Sequence, residues 1–176
     1  MEFKKIQLNG FKSFADKTTF LIEDGLTGIV GPNGCGKSNI VESLRWVMGE
    51  TSAKSMRGSG MEDVIFSGTS NKASKNIAEV SVSVANSNNE GPVQFRELDE
   101  VNVRRKIEKD KGSKFYINDK EVRARDAQMF FADLSTGAHS PSMISQGRIG
   151  ALVTAKPTDR RAILEEAAGI SGLHVR

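Results

Sequence analysis

The stretch Gly31-Pro32-Asn33-Gly34-Cys35-Gly36-Lys37-Ser38 decides the fold. It satisfies G-x-x-x-x-G-K-[ST] at every position, and its flanks are those the pattern needs. Before it, Leu26-Thr27-Gly28-Ile29-Val30 reads as a short, mostly apolar strand of the buried kind. After it, a helix is expected over about Lys37 to Met48. Ile40, Val41, Leu44, Val47 and Met48 fall on one helical face, and Gly49 stands where a C-terminal cap belongs. In such a strand–loop–helix unit the glycines let successive N–H groups point inward, and the helix N-terminus adds its positive end. Lys37 is expected to reach the β- and γ-phosphates of a nucleotide, and Ser38 to ligate Mg2+. Pro32, Asn33, Gly34, Cys35, Gly36 and Asn39 complete the nucleotide-contacting segment. Cys35 fills a free position of the pattern, so a small residue that fits is the better reading than a redox role.

Working outward, Phe3 to Leu8 and Thr18 to Ile22 read as strands, with a turn at Asp24-Gly25. Beyond the helix, Thr51 to Lys75 is rich in Ser, Gly and Asn and reads as loops around a short strand, Val64-Ile65-Phe66. From Ile77 the period changes to two, with Ala78, Val80, Val82 and Val84 alternating with Glu79, Ser81 and Ser83. Alternation returns at Val101, Val103 and Ile107, then at Phe115 to Ile117. The turns lie at 86–92, 110–113 and 118–119, which predicts an antiparallel meander. Arg125 to Leu134 reads as a helix and 135–150 as a loop. Pro157-Thr158 announces a last helix from about Asp159 to Ala168. The expected fold is therefore α/β: a strand–P-loop–helix NTPase core carrying an antiparallel β-layer.

Composition sets the outer bounds. The 176 residues are 38% hydrophobic and 27% charged, which suits one globular domain and excludes a disordered chain. A net charge of +3 and a pI near 9.0 permit an anionic partner without demanding one. The single cysteine, Cys35, leaves no intramolecular disulfide. No run approaches the roughly 18 apolar residues of a membrane span, and no apolar h-region follows Met1 to Lys5. A cytosolic protein with no membrane partner is expected.

The P-loop alone does not choose among its users. A GTPase should carry Asn-Lys-x-Asp, and Asn71-Lys72-Ala73-Ser74 lacks the aspartate. Met129-Phe130-Phe131-Ala132-Asp133 imitates the apolar strand and aspartate of a Walker B motif. It is followed by Leu134-Ser135 rather than Glu, and it sits better on a helix.

Several segments together are more specific. Phe11-Lys12-Ser13-Phe14, the P-loop through Asn39, and Arg45-Trp46-Val47-Met48-Gly49-Glu50 resemble the opening of bacterial SMC (structural maintenance of chromosomes) proteins. So do Met61 to Gly68, Ser145-Gln146-Gly147-Arg148, and Lys156-Pro157 with Glu165 to Ile170. The resemblance covers nearly the whole chain in order. It implies the N-terminal half of an ABC-type ATPase head, with residues 1–158 as the lobe and 159–176 as the start of a helix leading into a coiled coil. It implies ATP and Mg2+ as cofactors. By the same resemblance Gln146 is the Q-loop glutamine, a ligand of Mg2+ and water, which with Lys37 makes up the catalytic set in this half. Arg57 is then the R-loop arginine, and Lys12 and Ser13 lie near the nucleotide.

The implied partners are the C-terminal half of the same head, a second head in a homodimer, a kleisin-type subunit and double-stranded DNA, with a place on the nucleoid. The signature motif, the Walker B Asp-Glu pair and the switch histidine would lie in that C-terminal half. Leu134-Ser135-Thr136-Gly137 is not the signature motif, and neither His139 nor His174 stands in a switch context. Negligible hydrolysis by this half alone is expected, and the chain reads as cut rather than finished at Arg176.

Cations outnumber anions between Val101 and Arg125, and Arg104, Arg105 and Lys106 are the candidate DNA-phosphate contacts. A solvated, salt-bridged sheet face is the competing reading. A transport ATPase, a DNA-repair ATPase with coiled coils, and a nucleotide-dependent DNA-binding module without turnover are the competing functions.

Overall fold

Strict alternation makes the sheet. In Glu100–Glu108 every second side chain, from Val101 to Ile107, is buried, so one face of this strand must lie against a core. The computed structural model describes residues 2–25, 27–86, 93–134, 156–158 and 161. In chain order the elements are β1 (Glu2–Asn9), β2 (Thr18–Leu21), α1 (Lys37–Val47), β3 (Ile77–Ala85), β4 (Glu100–Glu108), β5 (Gly112–Ile117), β6 (Lys120–Val122) and α2 (Ala124–Asp133). The six strands form one sheet in the order β2-β1-β3-β4-β5-β6, antiparallel at every step. Short turns make that possible: Asn118 and Asp119, both at positive φ, form the two-residue hairpin between β5 and β6.

The helices cover the apolar face. Trp46 and Val47 of α1 and Phe130 and Phe131 of α2 join Ile6, Leu8, Val80, Val82, Val103 and Ile117 in one buried cluster. Each large side chain so buried contributes about 2–3 kcal/mol of hydrophobic stabilisation. Phe131 stacks on Phe3 of β1, with ring centroids 6.4 Å apart, and so ties α2 back across the sheet.

α1 ends as its sequence dictates. The N–H of Glu50 donates to the carbonyl of Arg45 at 3.0 Å and that of Gly49 to Trp46 at 3.1 Å, a Schellman closure. Gly49 has φ of 104°, and a Cβ there would stand 2.3 Å from Cγ of Gln128. Gln128 of α2 in turn donates to the Gly49 carbonyl at 2.9 Å, so the end of one helix is pinned by the other.

Arg105 completes this junction. It is 3% exposed and points into the core from β4. Its Nη1 donates to the carbonyls of Trp46 at 2.8 Å and Glu50 at 2.6 Å, at the end of α1 where carbonyls run short of intrahelical donors. Its Cζ lies over the rings of Trp46 and Phe115, at 4.5 and 4.6 Å from their centroids. Burial pulls its pKa down to about 10, against an upward pull from Glu50, and it stays charged at neutral pH.

Three expectations change. The strand foreseen at Leu26–Val30 is not formed over residues 27–30, and Ile29 and Val30 are 43% and 92% exposed. A buried strand needs neighbours on both sides, and among the described residues none pairs with this segment. Val64-Ile65-Phe66 is reduced to the end of a short 3₁₀ turn and an isolated bridge between Ile65 and Phe11. The buried face of α1 is also turned from the apolar pattern: it takes in Glu42 and Ser43, whereas Val41 and Leu44 are only half-buried. Met129–Asp133 lies on α2, in line with its reading as a helix rather than Walker B. The loop at 135–150 with Gln146, and all but Arg161 of the expected helix at 159–168, lie outside the described residues.

Arg105→Ala removes the side-chain donor from two buried carbonyls, of which that of Trp46 keeps the Gly49 N–H, and removes the cation from two rings, so a loss of about 3 kcal/mol is expected. A urea melt would show it as a lower midpoint. Arg105→Lys should restore only part, because an ammonium has no planar fork to span both carbonyls and Ser113.

Candidate functional site

α1 begins in an unusual way. Its N-cap is Gly36, in the left-handed region at φ 94°, and no side chain caps the helix or places an acid in its first turn. The positive end of the helix is left uncompensated, which suits an anion. Glycine is required at this position on two grounds. An L side chain rarely adopts that φ, and a Cβ would stand 2.8 Å from Ser13 Oγ and 3.4 Å from Cζ of Phe14.

The loop and the helix start frame a cavity of about 230 Å³, lined by Asn33, Gly34, Gly36, Lys37, Ser38, Asn39 and Arg57. Its lining holds two cations and no carboxylate. Lys37 Nζ lies over the loop and donates to the carbonyls of Gly31 and Pro32, each at 2.5 Å. Cys35 is an exposed free thiol with Sγ 4.0 Å from Lys37 Nζ. Arg57, remote from the loop in sequence, reaches the same cavity.

Two further segments converge on α1. Asn39 Nδ2 donates to Ser13 Oγ at 2.8 Å, and Arg57 Nη2 donates to Asn39 Oδ1 at 2.7 Å. Lys12 Nζ lies 2.5 Å from Glu42 Oε2 and also donates to the carbonyl of Met56, while Arg57 Nε pairs with Glu42 Oε1. Lys12 and Arg57 both stand at left-handed φ, 47° and 53°. Each such non-glycine residue costs about 1–2 kcal/mol, and it persists where its surroundings hold it.

The predicted site residues thus separate. Lys37, Ser38, Asn33, Gly34, Gly36, Asn39 and Arg57 come together at the cavity. Ser13 touches the site through Asn39. Lys12 is spent on Glu42 and Met56 behind the cavity wall. Glu42, which sequence reading left unassigned, proves central to the arrangement. The only signal for it was a carboxylate three residues after Asn39 on a helix otherwise read by its apolar stripe.

On the sheet, three successive strand residues cannot share a face. Arg104 and Lys106 point outward. Arg105 points into the core, which corrects its expected role as a phosphate contact. Arg104 pairs with Glu79 and Asp119, each at 3.1 Å, and lies over the Tyr116 ring at 4.4 Å.

A nucleoside triphosphate fits the residues present. The cavity is cationic, its lining residue Gly36 has no room for a Cβ, and the helix start is free of acids. Among the described residues no cluster of three His, Cys, Asp or Glu could hold a metal by itself. A divalent ion at this site would depend on Ser38 together with phosphate oxygens.

Comparison with known proteins gives a consistent result. The family described as RecF/RecN/SMC N-terminal domain matches residues 2–148. The chain is 56% identical, over all of its 176 residues, to the Chromosome partition protein Smc of Cereibacter sphaeroides, and it spans 15% of that protein's length. A solved structure of an Smc head bound to the C-winged helix domain of ScpA has a TM-score of 0.86 at 31% identity, over 97% of this chain and 52% of that one. Another, from work on ATP-driven dimerization and DNA-stimulated activation of SMC ATPases, has a TM-score of 0.81 at 29% identity, over 95% of this chain and 99% of that one.

The turn beside Arg57 has a pH signature. Asp63 Oδ2 accepts from Ser59 N at 2.6 Å, Ser59 Oγ at 2.9 Å and Gly60 N at 3.0 Å, and those bonds, the Gly60 N–H foremost, hold its pKa below 3.8. The stabilisation is therefore complete above pH 3.8 and is lost as pH falls through the lower folded value. Asp63→Asn should melt earlier than wild type at pH 7, and the gap should close as the pH is taken below 3.8.

Proposed function

Because the chain belongs to the RecF/RecN/SMC N-terminal domain family, we propose that it is the ATP-binding N-terminal half of an SMC ATPase head that engages a second head to drive DNA binding, chromosome condensation and segregation. The observation that carries this reading is the shared cavity, where Lys37, Ser38, Asn39 and Arg57 meet at a glycine-capped helix start.

Bound Mg-ATP would supply a phosphoanhydride for hydrolysis. The residues of this chain do the holding. Loop N–H groups from Asn33 to Gly36 with Pro32 and Cys35 shape the phosphate cradle, and Lys37 neutralises β- and γ-oxygens. Ser38 supplies one Mg2+ ligand and Gln146 another. Arg57 adds a planar cation to the same phosphates. Lys12 and Ser13 act one layer back, as braces of α1.

Residues 1–158 form the lobe and 159–176 start the helix toward a coiled coil. The C-terminal half of the same head is the natural cover for the exposed apolar segment at Ile29 and Val30, which offers an unpaired backbone beside hydrophobic side chains. A second head, a kleisin-type subunit and double-stranded DNA complete the assembly, on the nucleoid in the cytoplasm. Relatives studied with ScpA and for DNA-stimulated activation support those partners. The outward face with Arg104 and Lys106 is the DNA-phosphate surface in this reading.

Calorimetric titration with Mg-ATP, with and without a separately produced C-terminal half, tests the core of it. Lys37→Ala should weaken binding at least about tenfold, the worth of one charge-assisted contact. The other half should tighten binding by wild type and restore turnover. Binding indifferent to Lys37 would sink the P-loop assignment. For DNA, Arg104→Glu with Lys106→Glu should weaken binding to any sequence and flatten its salt dependence. An unchanged salt slope would remove this face from the interface.

A further inference from the structure

Asn39 and Glu42 stand one turn apart on α1, at the i, i+3 spacing that makes neighbours on a helix surface, and both grip the same guanidinium. Asn39 Oδ1 takes Arg57 Nη2 at 2.7 Å, and Glu42 Oε1 takes Nε. The same two residues also hold the preceding turn, Asn39 through Ser13 at 2.8 Å and Glu42 through Lys12 at 2.5 Å. The Glu42 side chain is 8% exposed, whereas that of Arg57 is 58% exposed and lines the cavity.

An arginine that exposed ordinarily samples many rotamers. Here Nε and Nη2 of its fork are held by two side chains of α1, while the residue itself lines the cavity. A buried carboxylate would be unfavourable alone, and Lys12 offsets that while taking no part in the cavity lining. The cluster therefore fixes the arginine more firmly than a surface ion pair would.

We propose that Glu42 is a positioning residue: it presets the guanidinium of Arg57 at the cavity, with Lys12 as its charge balance, so that bound phosphate oxygens meet an already oriented cation. This rests on the nucleotide-binding reading above. Glu42 touches no nucleotide atom in this role and acts only through Arg57.

A double-variant cycle on the 176-residue chain, read as Mg-ATP affinity by calorimetry, tests it. Glu42→Gln and Arg57→Ala should each weaken binding about tenfold, and the double variant should be no weaker than either, since both remove one contact. Glu42→Asp should recover part of the affinity. Losses that multiply to about a hundredfold in the double variant, or wild-type affinity in Glu42→Gln, would reduce Glu42 to a structural partner of Lys12. If Glu42→Gln does not fold, Lys12→Gln with Glu42→Gln removes the buried charge mismatch. That pair should still lose about tenfold, and full affinity in it overturns the proposal. Lys37→Ala in the same series separates the two ideas. Its binding collapses while Glu42→Gln stays intact if only the positioning role is wrong. It binds like wild type if the P-loop reading itself is wrong, and the proposal then falls with it.

Discussion

Everything at the cavity depends on how α1 is aimed, and α1 is aimed from its far end. The Arg105 guanidinium clasps the carbonyls of Trp46 and Glu50 while lying over two aromatic rings. A rigid rod of 11 residues clamped at its C-terminus to a central strand has little freedom at its N-terminus. The loop from Gly31 to Gly36 inherits that direction. The charge is therefore buried in the sheet to orient a helix, and its positive sign matches the negative end of that helix.

The near end of α1 is braced in a second way. Ser13 and Lys12 come from the turn after β1, and Arg57 from a short 3₁₀ turn after α1. All three are tied to Asn39 or Glu42. The strained φ values of Lys12 and Arg57 are held by those ties. Two segments distant in the chain are thus brought to one helical turn, and through Arg57 the cavity is bounded by more than the loop and the helix start.

Much of this was legible in the sequence. The P-loop, the start and glycine stop of α1, the alternation of β3 and β4, and the hairpin turns each follow from local pattern, because local sterics fix them. What escaped has a common cause. Arg105 is one of three adjacent cations in sequence, but a strand sends alternate residues to opposite faces. Glu42 was lost under an apolar stripe, because a buried ion cluster leaves no periodic trace. Residues 27–30 carry the composition of a buried strand, yet composition does not supply the neighbours a strand must pair with.

The stack around Arg105 has one more consequence. Trp46 is the only tryptophan in the chain, and it has Phe11 at 5.4 Å, ring centroid to ring centroid, and the guanidinium over its ring at 4.5 Å. The indole emission of the whole chain therefore comes from a single spot, the seam between the helix and the sheet. The molecule carries its own optical gauge at the joint that aims the loop.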